Sequence, residues 1–94
     1  MPRLLFSLLA KADIRDIALY IARDNVPASK RWVLAIKNKC RLLAKYPEMG
    51  ENRSDLGAGI RLSSYQNYGI YFRRTDRGVE IARIIRGDRN VTSL

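Results

Sequence analysis

The chain has 94 residues and a mass of 10.8 kDa, which fits one domain over residues 1–94 and leaves no room for a second. A hydrophobic fraction of 47% beside 29% charged residues excludes general disorder. Eighteen Lys and Arg against nine Asp and Glu give a net charge of +9, which indicates an anionic partner such as nucleic acid or an acidic protein.

The residue types present limit the chemistry. The chain has no histidine and a single cysteine, Cys40. This excludes the usual Cys/His zinc sites and nucleophilic catalysis by Ser-His-Asp or Cys-His sets, so we expect no metal ion and no cofactor. An internal disulfide cannot form, which favours a reducing compartment such as the cytoplasm.

The first elements are predicted to be a strand and two helices. A strand runs from Leu4 to about Phe6, and Ser7 is the expected N-cap of a helix whose apolar residues recur with helical spacing. A second helix begins near Pro27 and ends at about Tyr46, before a second proline. The apolar run at residues 4–9 is too short for a typical secretory leader, and no run approaches the roughly 20 residues of a membrane span.

The second half changes to a period of two. Three strands are predicted at residues 60–65, 68–74 and 79–86, and their short connections make neighbouring strands antiparallel. Alternation places Val79, Ile81, Arg83 and Ile85 on one side of the last strand, with Arg83 partly buried and paired there. The predicted fold is α+β, with a first strand, a helical hairpin and a three-stranded meander.

The second helix is amphipathic and carries no acidic residue between positions 28 and 46. Its apolar side includes Trp32, Ile36, Cys40 and Leu43. A basic stripe lies about 130° away and consists of Lys30, Lys37, Arg41 and Lys45. The stripe fits a contact with nucleic acid or an acidic protein, although a charged stripe on an exposed helix is most often only its solvated face.

At this point the sequence resembles a known family, the RelE/ParE toxins of bacterial type II toxin–antitoxin pairs, and more closely the ParE branch. The motifs that carry the resemblance are ADIRDI at residues 12–17 with Tyr20 and Ile21, PEMG at 47–50, RSDL at 53–56, GIR at 59–61, YGIYFR at 68–73 and GVEIARIIRGDRN at 78–90. Each string is short, but their order and spacing extend over nearly the whole chain.

The resemblance implies a fold and two partners. The fold is a helical hairpin on one curved four-stranded antiparallel sheet that the first strand joins. A cognate ParD-like antitoxin wraps such a toxin with an acidic segment that folds on binding, giving a hetero-oligomer. ParE-like members act on DNA gyrase and trap it on cleaved DNA, whereas RelE-like members cut messenger RNA on the ribosome.

The chain departs from the family at its end. Where relatives commonly place a histidine before Gly-x-Arg-Asp, residues 86–90 read RGDRN. From the resemblance we expect a toxin that inhibits DNA gyrase, with a ribosome-dependent endoribonuclease as the alternative. The altered end adds a third reading, an antitoxin-bound module with only a binding or regulatory role.

Candidate site residues follow from these readings. Metal-free RNA cleavage needs proton-transfer groups and a cation, for which the candidates are Tyr71, Glu80, Arg61 and Arg83. A docking surface for the target would use the arginines of the strand half, namely Arg61, Arg73, Arg83, Arg86 and Arg89. An antitoxin peptide would meet the rim of the helical hairpin, with Tyr20, Trp32, Ile36 and Leu43 as candidates.

Overall fold

The computed structural model describes residues 2–87 and 91–94, and it confirms the α+β fold with the predicted order of the main elements. The elements are β1 (Arg3–Phe6), α1 (Leu8–Ala22), α2 (Val26–Lys45), a 3₁₀ helix (Pro47–Met49), β2 (Glu51–Asn52), β3 (Arg61–Tyr65), β4 (Tyr68–Arg74) and β5 (Gly78–Arg86). The sheet order is β1-β5-β4-β3-β2, with β1 parallel to β5 and the other pairs antiparallel.

The sheet has five strands instead of the four expected. The additional strand β2 consists of two residues, which pair with Leu62 and Arg61 of β3 at the sheet edge. A two-residue segment is too short to show a period of two, so the sequence pattern could not reveal it.

Side-chain caps fix where both helices begin. As predicted, Ser7 is the N-cap of α1, where its Oγ accepts a hydrogen bond from Ala10 N at 3.0 Å. The same hydroxyl donates to Ala82 O at 2.7 Å and so joins the start of α1 to β5. Asn25 Oδ1 caps α2 by accepting from Ala28 N at 2.9 Å.

The sheet carries an apolar cluster on each face. The larger cluster lies under the helices and includes Trp32, Ile36 and Leu43 of α2 packed on Phe72 and Ile81 of the sheet. A smaller cluster on the opposite face is formed by Leu56, Ile60 and Tyr71, with Ile85 and Val91 packed against it. The burial of both faces of β4 agrees with its run of buried residues from Gly69 to Phe72.

A bulge in β5 overturns the predicted alternation of its side chains. Tyr71 of β4 pairs with Arg83, but the next residue, Phe72, pairs with Ile81, so Ala82 is an extra residue in β5. Ile84 therefore joins the helix-side cluster and Ile85 the opposite cluster. The expectation that Arg83 and Ile85 share one side with Val79 and Ile81 is wrong, because the bulge reverses the alternation.

Candidate functional site

An apolar groove runs between the two helices and β1. Its floor is formed by Leu4 and Phe6 of β1, Ile14 and Ala18 of α1, and Val33 of α2. Its rim is formed by Lys11, Arg15, Lys37 and Arg41. The volume is about 530 Å³, and we call this feature the helix groove.

The rim of the helix groove is uniformly basic. Among the residues that the structure describes, no carboxylate lines the groove, and all four rim cations are exposed. Arg15 forms an exposed ion pair with the neighbouring Asp16 at 3.6 Å, and Arg41 donates to Asn38 Oδ1 at 2.5 Å. Asp16 offsets the charge of Arg15 only, so the other three cations keep the rim positive. The groove therefore suits an amphipathic helix with an apolar face and acidic flanks.

The residues of the basic stripe of α2 belong to different surfaces of the protein. All four members are exposed, but only Lys37 and Arg41 line the helix groove. Lys45 lies with its Nζ 5.7 Å from the centre of the Tyr46 ring and borders a different depression. Lys30 lies outside both. The stripe is thus part of two surfaces, because four residues at intervals of four and seven turn progressively around a 20-residue helix.

The hairpin-rim candidates are mostly inside the protein. Trp32 is 6% exposed, and Ile36 and Leu43 are fully buried, because the apolar side of α2 packs on the sheet. These three side chains have almost no surface to offer a partner in this fold. Tyr20 is 62% exposed on α1 and keeps its place as a candidate contact.

Arg83 is tied to the helical hairpin. Its Nε and Nη2 donate to the two carboxylate oxygens of Asp13 at 2.8 and 3.0 Å, and these bonds raise the pKa of the Arg83 guanidinium. Asp13 Oδ2 also accepts from Ile84 N at 2.9 Å. This arrangement lines a small cavity of about 140 Å³ beside α1. The pairing explains the partial burial of Arg83, and it uses two of the guanidinium's donor groups for a contact within the chain.

Of the other arginines of the docking set, Arg86 lines the same small cavity as Arg83, whereas Arg61 and Arg73 lie elsewhere. Arg61 donates to Pro47 O at 3.1 Å and to Gly50 O, so it holds the loop after α2. Arg73 is exposed and lies opposite Glu80 in the β4–β5 pairing. Arg86 is exposed at the end of β5, and Arg89 lies outside the described residues.

The ribonuclease candidates are divided between the two faces of the sheet. Tyr71 is 7% exposed and belongs to the cluster on the sheet face away from the helices. Arg83 pairs with Tyr71 across β4 and β5, and Glu80 lies between two residues of the helix-side cluster, so by alternation all three belong to the face away from the helices. Arg61 belongs to the opposite face, because it pairs with a residue of the helix-side cluster. Arg83 is bound to Asp13 and Arg61 to loop carbonyls, so both candidate cations already have acceptors within the chain.

Metal and thiol chemistry find little support in the described part of the chain. Within residues 2–87 and 91–94, no three His, Cys, Asp or Glu side chains lie close enough to hold a metal ion. Burial raises the pKa of Cys40 to about 12, which keeps this thiol protonated and poorly nucleophilic. Neither helix combines the length and hydropathy that crossing a bilayer requires, as far as the described residues extend.

Sequence reasoning missed the α1 half of the helix groove. Lys11 and Arg15 are four residues apart and flank Ile14, a spacing that places them on one helix face beside an apolar residue. That signal was present in the sequence. The spacing could not predict that this face of α1 lies across from Lys37 and Arg41 of α2, because the packing of one helix against the other is a tertiary property.

The comparisons with known proteins agree with this fold. The family model for the ParE toxin of the type II toxin–antitoxin system parDE matches residues 4–91. A solved structure described as the chromosomal ParDE TA system from P. aeruginosa superimposes with a TM-score of 0.73 at 22% identity, covering 92% of this chain and 96% of that chain. No curated protein sequence matches significantly. The chain belongs to the ParE toxin family of type II toxin–antitoxin systems.

Proposed function

We propose that this protein inhibits DNA gyrase in the cytoplasm and is held inactive by a ParD-like antitoxin bound in the helix groove. Its membership of the ParE toxin family supports a toxin role and a cognate antitoxin. The observation that carries the antitoxin site is the chemistry of the groove, an apolar floor lined, within the described part of the chain, by four cations and no carboxylate.

The antitoxin segment is specified by the groove dimensions and charge. Lining residues of α1 extend from Lys11 to Ala18, which is about 10 Å along a helix axis. A helix of two to three turns covers that length. Its apolar side would cover Phe6, Ile14 and Val33, while Asp and Glu on its flanks would face the rim cations. A segment disordered when free would fold on binding and give a hetero-oligomer.

Gyrase inhibition is proposed as a binding activity. Tyr71 is packed in an apolar cluster, Arg61 donates to loop carbonyls and Arg83 is paired with Asp13, so these side chains give no support to a phosphodiester-cleaving site. A small basic protein without an assembled proton-transfer set fits an inhibitor that docks on a large enzyme and its DNA. The gyrase target itself comes from the resemblance to the ParE branch.

The proposed function is tested with the purified protein free of antitoxin. We expect it to inhibit supercoiling by gyrase and to increase the amount of cleaved DNA that gyrase holds, while messenger RNA in a translation extract remains intact. Addition of the cognate antitoxin should restore supercoiling. Cut messenger with unaffected gyrase would contradict the proposal, and so would unaffected gyrase at a protein excess of about a hundredfold.

The antitoxin site is tested separately by charge reversal in the groove. We expect Lys37→Glu with Arg41→Glu to weaken antitoxin binding, while the same number of reversals at Arg23 and Arg31, which do not line the groove, leaves binding almost unchanged. Equal losses from both pairs would show that antitoxin binding depends only on net charge.

A further inference from the structure

A second depression lies at the end of the molecule where β4 turns into β5. Its volume is about 600 Å³, and its lining is more polar than apolar. The charged and polar side chains that line it are Lys45, Arg74, Thr75, Asp76 and Arg77. We call this feature the hairpin-end site.

The cations of the hairpin-end site are available for a ligand. Lys45, Arg74 and Arg77 are all exposed. Within the described residues, none of the three forms an ion pair with a carboxylate within 4.0 Å. Among the lining residues that the structure describes, Asp76 is the single acidic one, so these residues carry a net charge of +2. Two of the three cations are arginines, whose planar guanidinium matches phosphate oxygens better than an ammonium group does.

The backbone that carries these arginines is held firmly. Thr75 N donates to Gly78 O at 2.9 Å and closes the turn. Arg3 N donates to Arg77 O at 2.7 Å, which joins the turn to β1. Gly78 packs so closely on β1 that a Cβ there would lie 1.9 Å from Arg3 O. A fixed turn reduces the conformational entropy lost when Arg74 and Arg77 bind a ligand.

We propose that the hairpin-end site binds the sugar–phosphate backbone of duplex DNA. The proposal rests on the proposed function in one respect: the choice of DNA follows from gyrase as the target. The chemistry of the site supports a phosphate ligand over a helical peptide, because its lining is mainly polar where the helix groove is mainly apolar. None of its described lining residues is aromatic, so the lining itself offers no stacking platform for the bases of a single strand.

The hairpin-end site is separate from the helix groove. Within residues 2–87 and 91–94, no residue lines both depressions. Lys45 follows Arg41 by one turn of α2, so the two surfaces are neighbours along the helix without sharing a side chain. A partner in the helix groove therefore leaves the hairpin-end cations accessible, and DNA contact should persist in the antitoxin complex.

The test measures binding to a fluorescent 20-base-pair duplex of arbitrary sequence, in the absence of gyrase, between 50 and 200 mM salt. The variant is Arg74→Gln with Arg77→Gln, and the matched control is Arg23→Gln with Arg31→Gln at exposed positions of the hairpin connection and α2. Both variants lower the net charge from +9 to +7. Circular dichroism and thermal melting confirm that each remains folded.

Each phosphate contact contributes about 0.9 to the slope of log affinity against log salt. We expect the Arg74/Arg77 variant to lose about 1.8 from that slope and roughly 60-fold in affinity at 0.1 M salt. The control should lose less than about threefold, and adding Lys45→Gln to the variant should remove a further 0.9 or so from the slope.

Three results would overturn the site: equal losses in variant and control, no measurable binding of the unmodified protein at 50 mM salt, or tighter binding to single-stranded RNA than to the duplex. The assay is independent of the gyrase target because it contains no gyrase. If the protein binds DNA through these residues but leaves gyrase unaffected, the DNA site is supported and gyrase as the target is contradicted.

Discussion

Arg83 and Asp13, seventy positions apart, form a bidentate ion pair that completes the edge of the sheet. The two donor–acceptor distances are 2.8 and 3.0 Å, and the same carboxylate accepts from Ile84 N. The pairing of β1 with β5 ends at Phe6 and Ile81, so Asp13 takes a β5 amide beyond the last residue of β1. Asp13 of α1 thus accepts the hydrogen bond that a longer edge strand would accept, and it joins the helix to the sheet.

We expect Asp13→Ala to destabilise the protein by about 2–3 kcal/mol, because it leaves the Ile84 amide and the Arg83 guanidinium without their acceptor. This lies below the cost of breaking a fully buried pair, since 32% of the Arg83 side chain is exposed. Urea unfolding measures the change. The control Asp16→Ala removes an exposed pair at 3.6 Å and should cost about 0.5 kcal/mol or less. Similar losses for both variants would contradict this role of Asp13.

Gly78 is required for the close approach of β1 to β5. An added Cβ would lie 1.9 Å from Arg3 O and 2.6 Å from Arg3 N, and backbone atoms cannot move aside as a side chain can. We therefore expect Gly78→Ala to cost roughly 3 kcal/mol of unfolding free energy. Gly57→Ala is the matched control, since its nearest contact is the Ile60 side chain at 3.3 Å. If Gly78→Ala unfolds at the same urea concentration as the control, the steric argument fails.

Cys40 should be unreactive in the folded protein. Burial raises the pKa of its thiol from 9.0 to about 12, so the protonated form is favoured by the fold. We expect iodoacetamide at pH 8.5 to label the unfolded chain at least tenfold faster than the folded chain. Rapid labelling under native conditions would contradict the burial of this side chain.

The same thiol makes stability depend on pH at the alkaline end. The unfolded thiol ionises near pH 9 and the folded thiol near pH 12, so between these values the folded state binds more protons. Stability is therefore retained below pH 9 and decreases as pH rises towards 12, by at most about 1.4 kcal/mol per pH unit. Lysines and tyrosines also titrate there, so the measurement compares the slope of the unmodified protein with that of Cys40→Ala. Identical slopes would exclude the thiol as a source.

Binding of an antitoxin in the helix groove should depend on salt. Four rim cations facing an acidic segment speed association at low ionic strength, and this attraction is screened as salt rises. We expect the association rate to fall at least tenfold between 20 and 300 mM salt. The Lys37→Glu and Arg41→Glu variant should show a much shallower dependence. A rate that is unchanged by salt would contradict an electrostatic role for the rim.

The local structure of this protein was largely readable from its sequence. Ser7 marks the start of α1 by capping it with its side chain, and Pro27 and Pro47 mark the start and end of α2 through their missing N–H and fixed backbone geometry, which makes such signals local. The change from helical to alternating spacing after residue 60 predicted the three long strands for the same reason. Family motifs in fixed order supplied the fold to which these elements belong.

The candidate sites depended on contacts between distant residues, and here sequence reasoning was less successful. The apolar side of α2 was recognised, but whether Trp32, Ile36 and Leu43 cover the sheet or face a partner depends on where the sheet lies. The arginine set was chosen by residue type and strand position. Arg83 and Arg61 are instead bound to Asp13 and to loop carbonyls, since a buried cation needs an acceptor wherever the fold provides one.

The sequence by itself determined the two helices and the four longer strands, their order, the excess of basic charge and the absence of histidine chemistry, because these follow from composition and from interactions within a few residues. Only the tertiary structure decided the rest: the bulge at Ala82, the carboxylate of Asp13 on the edge of β5, and the meeting of Lys11 and Arg15 with Lys37 and Arg41 around one groove. The physical reason is that each of these joins residues far apart in the chain, whose proximity is set by packing against a shared core.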